Sequence, residues 1–263
     1  MRPESSSRAT VAVFGLGEAG AAIAEDLVQR GVPTVGWDPQ PKRIPRGVAL
    51  AQGPAAAVVG ADVVLVLTTP RAAVDVAQVL APHLGGGQVY ADATSASPRQ
   101  KEGTASLLHP AGVLFADVAL MAPVPGRGLR TPALASGSGA EAFAAWAGAL
   151  GMPVRVLGPK VGEASGRKLV RSVFTKGLAA SAVEALRAAQ ALGCADEVYQ
   201  DMAQTLQGAD EALLRRLLEG TRTHAARRAD EMRGAAELLE SLGVSPRVTR
   251  ACVEWLDDLA TAG

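Results

Sequence analysis

The chain has 263 residues, of which 48% are hydrophobic and 20% charged, which suffices for a packed core in one large or two modest domains. Lys plus Arg and Asp plus Glu both number 26, so the formal net charge is zero and no basic field points to a nucleic-acid partner. No apolar run reaches membrane-spanning length, and the first residues lack the apolar core of a secretory signal. We therefore expect a cytoplasmic protein without membrane contact.

The first half of the chain alternates short apolar runs with helical patterns. Residues 1–9 are polar and predict a flexible tail. Predicted strands cover residues 11–14, 34–37, 63–67, 88–91, 113–118, 133–136 and 154–157. Predicted helices lie near residues 18–30, 71–82, 97–108 and 139–150. This alternation predicts an α/β fold with a mainly parallel sheet that helices cover on both faces.

The second half of the chain has the pattern of helices alone. Residues 162–192 contain no Pro and carry apolar residues at helical spacing, which predicts one helix of about 30 residues that ends at Gly193. Further helices are predicted near residues 195–207, 209–219, 221–242 and 246–260. The chain therefore divides into an α/β domain over residues 10–160 and an all-α domain over residues 161–263, which begins with the long interdomain helix.

Cysteines and lysines are both scarce. Cys194 and Cys252 are the only cysteines, and they stand in no metal-ligand spacing, so we expect two buried thiols and no metal site. Only five of the 26 basic residues are lysines, at positions 42, 101, 160, 168 and 176. A lysine can lose its proton when its surroundings demand it and an arginine cannot, so each lysine is a candidate for chemistry.

The stretch TVAVFGLGEAGAAIAEDLVQRGVPTVGWD, residues 10–38, indicates a dinucleotide site. A predicted strand leads into three glycines, and a predicted helix follows them. Gly15 would make the tight turn, Gly17 would let the pyrophosphate approach the backbone, and Gly20 would let the helix pack close to the strand. The α/β domain is therefore predicted to be a Rossmann-type, doubly wound, dinucleotide-binding domain.

Asp38 ends the second predicted strand, where a carboxylate can accept hydrogen bonds from both hydroxyls of an adenosine ribose. Its charge would repel a 2′-phosphate, which favours NAD over NADP, although Lys42 and Arg43 follow closely and could offset that repulsion. Thr69 precedes Pro70 and is equally suited to cap the next helix. The predicted cofactor-binding residues are Gly15, Leu16, Gly17, Glu18, Ala19, Gly20, Asp38, Thr68, Thr69 and Thr94.

These segments together resemble the β-hydroxyacid dehydrogenase family, which includes 3-hydroxyisobutyrate and 6-phosphogluconate dehydrogenases and has the imine reductases as relatives. The resemblance is carried by GLGEAG at 15–20, DVALMAP at 117–123 and GPKVGEASGRKLVRS at 158–172. It is strongest over residues 10–38 and poor after 193, as in a divergent subgroup with a distinct helical C-terminal domain. It implies hydride transfer between a nicotinamide cofactor and a small hydroxy-acid or carbonyl substrate.

The resemblance also implies roles for particular residues. Lys168 falls on the family's catalytic lysine, and Ser172 occupies the position of the family's Asn. Met121, followed by Ala122, stands where the family carries a substrate-binding Ser. Burial and nearby positive charge lower the pKa of a lysine amine, which lets it act as a general acid and base. Lys176 lies two turns further along the same predicted helix and is the alternative base.

A charged segment near the C-terminus, RTHAARRADEM at 222–232, places His224 and Arg228 on one helical face with Arg227 and Glu231. Such a face serves either an ion-pair network between helices or a wall that clamps an anionic substrate, because Arg binds carboxylate and phosphate bidentately. The predicted substrate-binding residues are Met121, Ala122, His224 and Arg228. The predicted partner is a small, anionic molecule.

Two other functions remain open from the sequence. An imine reductase-like enzyme agrees with the apolar Met121, although such relatives often replace the lysine that this chain keeps. A non-catalytic nucleotide-binding regulatory protein agrees with the loss of the family's Ser and Asn. A helix of about 30 residues spans roughly 45 Å and would project from so short a chain, which predicts a homodimer that clasps helical domains.

Overall fold

The computed structural model describes residues 9–262, so the greater part of the predicted tail lies outside the described residues. These residues contain one eight-stranded sheet in the order β3-β2-β1-β4-β5-β6-β7-β8, numbered along the chain as follows. The strands are β1 (Val11–Phe14), β2 (Thr34–Trp37), β3 (Ala49–Leu50), β4 (Val63–Val66), β5 (Val89–Asp92), β6 (Leu114–Leu120), β7 (Ala133–Ser136) and β8 (Val154–Gly158). Neighbouring strands pair in parallel except β6 and β7. The predicted fold class is confirmed.

Ten α-helices accompany the sheet within the described part of the chain, and that part contains no strand after Gly158. The helices are α1 (Glu18–Gln29), α2 (Pro54–Ala57), α3 (Pro70–Leu80), α4 (Pro98–Leu108), α5 (Ala140–Ala149), α6 (Glu163–Leu192), α7 (Ala195–Gln207), α8 (Glu211–Thr223), α9 (Ala225–Ser241) and α10 (Arg247–Thr261). The long helix predicted over residues 162–192 corresponds to α6, which has 30 residues. None of the helices in residues 9–262 is long and apolar enough to cross a membrane.

Strand β1 shows how the sheet is covered on both faces. Val11 and Val13 belong to one apolar core, whereas Ala12 and Phe14 belong to the other, and all four are fully buried. Successive side chains of a strand point to opposite faces, so a strand buried on both sides must be apolar throughout. This explains why the central strands read as continuous apolar runs.

The antiparallel pairing of β6 and β7 departs from a purely parallel pattern. Residues 121–132 connect the two strands, and they contain three prolines and a short 3-10 turn at Gly128–Arg130. A parallel pair needs a crossover of a dozen or more residues, usually a helix, and these prolines prevent a helix here. The chain therefore turns back, and β7 pairs antiparallel with β6.

Strand β3 and helix α2 were not predicted, because each is too short to carry a periodic pattern.

The chain divides into two compact units, and the boundary lies between Val170 and Arg171. The domain boundary predicted near residue 160 stays a prediction. In the second unit, Cys194 and Cys252 are free and partly exposed, so the expectation of two buried thiols was wrong. Burial of Cys252 and the nearby charge of Glu184 raise the pKa of its thiol.

The predicted helix over residues 221–242 begins later than expected. Helix α8 runs on to Thr223, and His224 separates it from α9 with φ −121° and ψ 28°. The His224 amide donates the last helical hydrogen bond of α8, to the Gly220 carbonyl, so α8 ends without a proline or glycine at this position. His224 is therefore the N-cap of α9, and its carbonyl accepts a hydrogen bond from the Arg228 amide at 3.0 Å, so a shared face with Arg228 stays a prediction.

Glu184 of α6 caps the N-terminus of α10. Its carboxylate accepts hydrogen bonds from the backbone N–H groups of Val248 and Thr249, both at 2.8 Å, and from Thr249 Oγ1 at 2.7 Å. Burial raises the pKa of Glu184, but the hydrogen bonds from Thr249 and Val248 favour the ionised form and hold the pKa below its ordinary value. The carboxylate thus satisfies N–H groups that have no partner within the helix.

We expect Glu184→Gln to lower the free energy of unfolding by about 1–2 kcal/mol at neutral pH, because a neutral amide accepts these hydrogen bonds less strongly. The folded-state pKa of Glu184 is lowered, so its contribution is present above the unfolded-state pKa and is lost as the pH falls through the folded-state pKa. Urea denaturation at neutral and acidic pH measures the difference between the two proteins. It should shrink in acid.

The matched control is Glu254→Gln, in α10. The side chain of Glu254 is exposed and makes no hydrogen bond or ion pair with another residue of the range 9–262. This variant should leave the stability within about 0.5 kcal/mol at both pH values. A loss for Glu184→Gln that does not depend on pH would contradict the capping role of the carboxylate.

Candidate functional site

The glycine turn after β1 has a backbone that only glycine adopts without strain. Gly15 has φ +87°, and a Cβ at this position would lie 2.9 Å from the backbone of Leu67 and from Thr68 Cγ2. Both the conformation and the lack of space exclude a side chain. The chain therefore turns sharply from β1 into α1, close to the end of β4.

The other two glycines of the motif have opposite surroundings. A Cβ on Gly20 would lie 1.8 Å from the carbonyl oxygen of Gly15, so α1 packs against the turn at a distance that only glycine allows. A Cβ on Gly17 would meet nothing within 4 Å. The backbone before the first turn of α1 is therefore open, as a site for a phosphate group at a helix N-terminus requires.

Asp38 lies directly after β2 and is fixed against this turn. Its Oδ2 accepts a hydrogen bond from the Leu16 amide at 2.8 Å, and its Oδ1 accepts one from the Gln40 amide at 2.9 Å. Each carboxylate oxygen has two acceptor sites, so both can still bind a hydroxyl. The carboxylate is therefore held in one orientation beside the glycine turn.

A pocket of about 350 Å³ adjoins the turn. Its lining residues are Leu16, Gly17, Glu18, Ala21, Ala22, Lys42, Arg43 and Pro125. Glu25 of α1 anchors the loop that carries the two basic residues, because its Oε1 accepts from the Arg46 amide at 3.0 Å and pairs with Arg43 at 2.8 Å. The hydrogen bond from Arg46 lowers the pKa of Glu25, partial burial opposes this, and Arg43 lowers it further.

The threonines predicted at strand ends divide into different roles. Thr69 Oγ1 accepts from the Ala72 amide at 3.4 Å and caps α3, and Thr68 Oγ1 donates to the Thr69 carbonyl at 3.2 Å. Thr94 is buried, and its hydroxyl donates to Asp92 Oδ1 at 2.6 Å. Its neighbour Ser95 is exposed instead. The side chain of Thr94 is thus engaged inside the protein.

Lys168 lies in the second turn of α6, within the first compact unit. Its Nζ donates a hydrogen bond to Ser95 Oγ at 2.9 Å, in the loop that follows β5. Strands β1, β4 and β5 are parallel neighbours, so Gly15, Thr68 and Ser95 all follow the carboxyl ends of adjacent strands. Ligands of doubly wound sheets bind at this edge. The amine and the glycine turn therefore lie at the same edge of the sheet.

Met121, at the end of β6, belongs to an apolar cluster. Its amide donates to the Pro132 carbonyl at 2.8 Å, and its side chain packs with Ala119, Leu134 and Ala164. Ala164 belongs to the first turn of α6, so this cluster lies near the start of the helix that carries Lys168. Ala122 is half-buried in the connection that follows.

The remaining predicted residues lie in the second unit. Lys176 Nζ donates to Ser172 Oγ at 3.5 Å, one turn earlier on α6. Arg228 donates to Thr221 Oγ1 and thereby links α9 to α8, while His224 is exposed at the junction of these helices. The contacts found for these residues are local to their unit.

A buried ion cluster was missed by the sequence analysis. Lys101 of α4 is fully buried, and its Nζ lies 2.8 Å from Asp92 Oδ1 and 3.6 Å from Asp117 Oδ1. The sequence offered one indication of this cluster, namely that Lys101 is one of only five lysines. No motif assigned Lys101 a role. Among residues 9–262, no group of three or more His, Cys, Asp or Glu side chains is arranged to hold a metal ion.

The residues at this edge fit a dinucleotide. Gly17 and the open N-terminus of α1 can receive a pyrophosphate, Asp38 can accept from a ribose, and the amine of Lys168 stands at the end of a nearby strand. The arrangement combines an anion-binding turn with one ionisable group able to hold a proton.

Comparison with known sequence families agrees with this geometry. Residues 10–144, just over half of the chain, match the family described as the NAD binding domain of 6-phosphogluconate dehydrogenase. Residues 189–259 match a domain of unknown function, DUF1932. The match over the first half covers the glycine turn and Asp38.

Three solved structures are similar over nearly the whole chain. A conserved hypothetical protein from Sinorhizobium meliloti 1021 is 33% identical, with a TM-score of 0.63 over 96% of this chain and 88% of that chain. A conserved protein of unknown function, described as structurally similar to 3-hydroxyacid dehydrogenases, is 28% identical, with a TM-score of 0.60 over 96% and 97%. An imine reductase from Myxococcus stipitatus in complex with NADP+ is 21% identical, with a TM-score of 0.80 over 97% and 95%, and shares the fold.

Proposed function

We propose that this chain, which belongs to the family described as the NAD binding domain of 6-phosphogluconate dehydrogenase, is an NAD(P)-dependent oxidoreductase. Its reaction transfers a hydride between nicotinamide and a small hydroxy-acid or carbonyl compound. One observation carries the proposal: the Lys168 amine, bound to Ser95, lies at the sheet edge that also carries the glycine turn.

Each residue then has a definite task. The turn from Gly15 to Gly20 binds the pyrophosphate through the first N–H groups of α1, and Asp38 accepts from the ribose. The bound nicotinamide supplies the hydride acceptor or donor. Lys168 Nζ takes the proton of the substrate hydroxyl during oxidation and returns it during reduction. Ser95 Oγ holds the amine in place before substrate binds.

We further propose that NAD is preferred over NADP. Hydrogen bonds from the Leu16 and Gln40 amides orient the Asp38 carboxylate beside the glycine turn, where its charge would repel a 2′-phosphate. Lys42 and Arg43 line the nearby pocket and oppose this preference, but Arg43 is paired with Glu25. The fixed negative charge next to the ribose site favours NAD.

The substrate is proposed to be small and anionic. Met121 and Ala122 would contact its apolar part, and Ser172 is proposed separately as a hydrogen-bond donor in the second unit. His224 and Arg228, both in the second unit, are proposed to bind an anionic group, since a guanidinium group binds carboxylate and phosphate bidentately. Lys176 remains the alternative base.

Imine reduction is the second candidate function. Met121 and the apolar cluster around it support it, because a hydroxy-acid site needs more polar groups at this position. The similarity of fold to imine reductases agrees with this, although at 21% identity it concerns the fold alone. Lys168 supports the first candidate, since a protonated imine needs no lysine of this kind.

A substrate panel tests the proposal. The purified full-length chain is assayed with NADH and with NADPH against oxo acids, neutral ketones and cyclic imines, by following nicotinamide absorbance. We expect turnover of oxo acids, with kcat/KM higher for NADH than for NADPH. Turnover of cyclic imines alone would favour the second candidate. Tight NADH binding without any turnover would instead identify a non-catalytic nucleotide-binding protein.

A homodimer is also proposed. The second unit leaves large apolar side chains exposed, and such surfaces mark interaction sites. The most exposed of them in α6 to α10 are Val173, Phe174, Val183, Tyr199, Leu206, Leu218 and Trp255. Sedimentation should give a dimer mass, and a concentration-independent monomer mass would overturn the proposal. The cytoplasmic location stays a prediction.

A further inference from the structure

The buried amine of Lys101 is the one lysine amine within residues 9–262 that lies wholly inside the protein. It donates to the Asp92 carbonyl at 2.6 Å and pairs with Asp92 Oδ1 at 2.8 Å, with Asp117 Oδ1 at 3.6 Å. Asp92 and Asp117 face each other in the register of β5 and β6. A buried charge is costly unless it is paired and hydrogen-bonded. A buried cluster of this kind is therefore a candidate for a structural or functional role.

One side of the cluster shapes the loop that carries Ser95. Asp92 Oδ1 accepts hydrogen bonds from the Thr94 amide at 3.0 Å and from Thr94 Oγ1 at 2.6 Å. An Asp that binds the backbone two residues further on fixes a tight turn. Ser95 is the next residue, so the position of its hydroxyl follows from how Asp92 is held.

The other side of the cluster fixes the start of α6. Asp117 Oδ2 accepts from the Gly162 amide at 3.2 Å, the Ser165 amide at 3.0 Å and Ser165 Oγ at 3.0 Å. A carboxylate at a helix N-terminus binds N–H groups that have no partner and complements the helix dipole. Lys168 lies one turn after Ser165, so its amine moves with this end of the helix.

Helix α4 meets the same end of α6 directly. A Cβ on Gly162, which has φ +93°, would lie 3.0 Å from Pro98 Cβ, at the first residue of α4. Pro98 precedes Lys101 by one turn. Lys101 is therefore attached to a helix in contact with α6, and its amine binds the carboxylates that hold each partner of the Lys168–Ser95 hydrogen bond.

We propose that Lys101 is a positioning residue for the Lys168 amine. It holds Asp92 and Asp117 at a fixed separation and thereby sets the distance between the Ser95 loop and the second turn of α6. This inference rests on the proposed function, in which Lys168 moves the proton. Misplacement of a reacting group by about 1 Å can cost about 100-fold in rate.

The test uses Lys101→Met, which keeps the length of the side chain without its charge, and Lys101→Met combined with Asp92→Asn. The single variant leaves two buried carboxylates without a counter-ion and can fail to fold. The double variant removes one of those charges but leaves an acceptor for Thr94. We expect the folded double variant to lose about 10- to 100-fold in kcat, with an unchanged Kd for NADH.

A second readout does not need activity. Lysines are methylated with ¹³C-formaldehyde and a reductant, and the NMR signal that disappears in Lys168→Ala is assigned to Lys168. We expect this signal to move in the double variant toward that of an exposed lysine. Lys160→Met is the control, because Lys160 is exposed and outside the cluster, and it should change neither the signal nor kcat.

The outcomes separate the two proposals. A double variant that keeps the wild-type Lys168 signal and kcat overturns the positioning role, since Lys101 would then serve stability alone. A wild-type protein without turnover on any substrate overturns the proposed function. In that case a shift of the Lys168 signal in the double variant still supports control of the amine's position by Lys101.

Discussion

Replacing Lys168 by alanine is expected to lower kcat by about 10²- to 10⁴-fold, while the Kd for NADH stays within about twofold. The variant removes the group that moves the proton, but it leaves the glycine turn and Asp38 untouched. Loss of the hydrogen bond to Ser95 has little effect on stability, because Ser95 is exposed and can bind water instead. Steady-state kinetics and fluorescence titration with NADH measure the two quantities.

Two further lysine variants make this result specific. Lys160→Ala removes an exposed lysine before α6 and should leave kcat unchanged. Lys176→Ala tests the alternative base and should lower kcat much less than Lys168→Ala does. If Lys176→Ala abolishes turnover while Lys168→Ala retains it, the base is Lys176. If both variants retain full activity, the proton is moved by another group.

Alanine at Gly20 and alanine at Gly17 are expected to act in different ways. The new Cβ of Gly20→Ala would lie 1.8 Å from the Gly15 carbonyl oxygen, so either α1 or the turn must move. Overpacking of this kind costs about 1–3 kcal/mol, and the displaced turn should no longer bind NADH. We expect a lower melting temperature together with loss of NADH binding.

Gly17→Ala should preserve the fold and weaken cofactor binding. Gly17 has φ −68° and ψ −166°, which alanine adopts freely, and its Cβ would meet no protein atom within 4 Å. The methyl group would instead occupy the space through which the pyrophosphate approaches. We expect the Kd for NADH to rise about 10-fold or more, equivalent to about 1.4 kcal/mol, at an unchanged melting temperature.

Gly103→Ala is the control for the general effect of replacing glycine. Gly103 lies inside α4, and a Cβ there would also meet nothing within 4 Å, so alanine should stabilise the helix slightly without affecting NADH binding. An unchanged Kd for Gly17→Ala would mean that the phosphates do not approach this turn.

The succession of strands and helices could be predicted because it depends on local periodicity. Continuous apolar runs such as residues 11–14 can be buried on both faces of a sheet, and the stretch without Pro over residues 162–192 can form one helix. The dinucleotide motif could be predicted likewise, because Gly15, Gly17 and Gly20 allow a tight turn and close packing within one short segment. These features depend on neighbours in the chain.

Elements that depend on weak or competing local signals were predicted less well. The break between α8 and α9 was predicted at residue 220 but lies at His224, because the residues around His224 have good helix propensity and carry no Pro or Gly break on the C-terminal side. Strand β3 was not predicted because two residues carry no periodic pattern, and the antiparallel pairing of β7 was not predicted although the prolines within residues 121–132 exclude a crossover helix.

The amino-acid sequence thus established the fold class, the dinucleotide motif and the position of Lys168 on a long helix, all through periodicity and spacing. The fold in space established that Ser95 binds Lys168 and that Lys101 joins Asp92 to Asp117. Ser95 and Lys168 lie 73 residues apart in the chain, and Asp92 meets Asp117 because the two are register partners on neighbouring parallel strands. A buried ion such as the Lys101 amine is stabilised by carboxylates from other secondary-structure elements, and no local sequence pattern predicts such an ion pair.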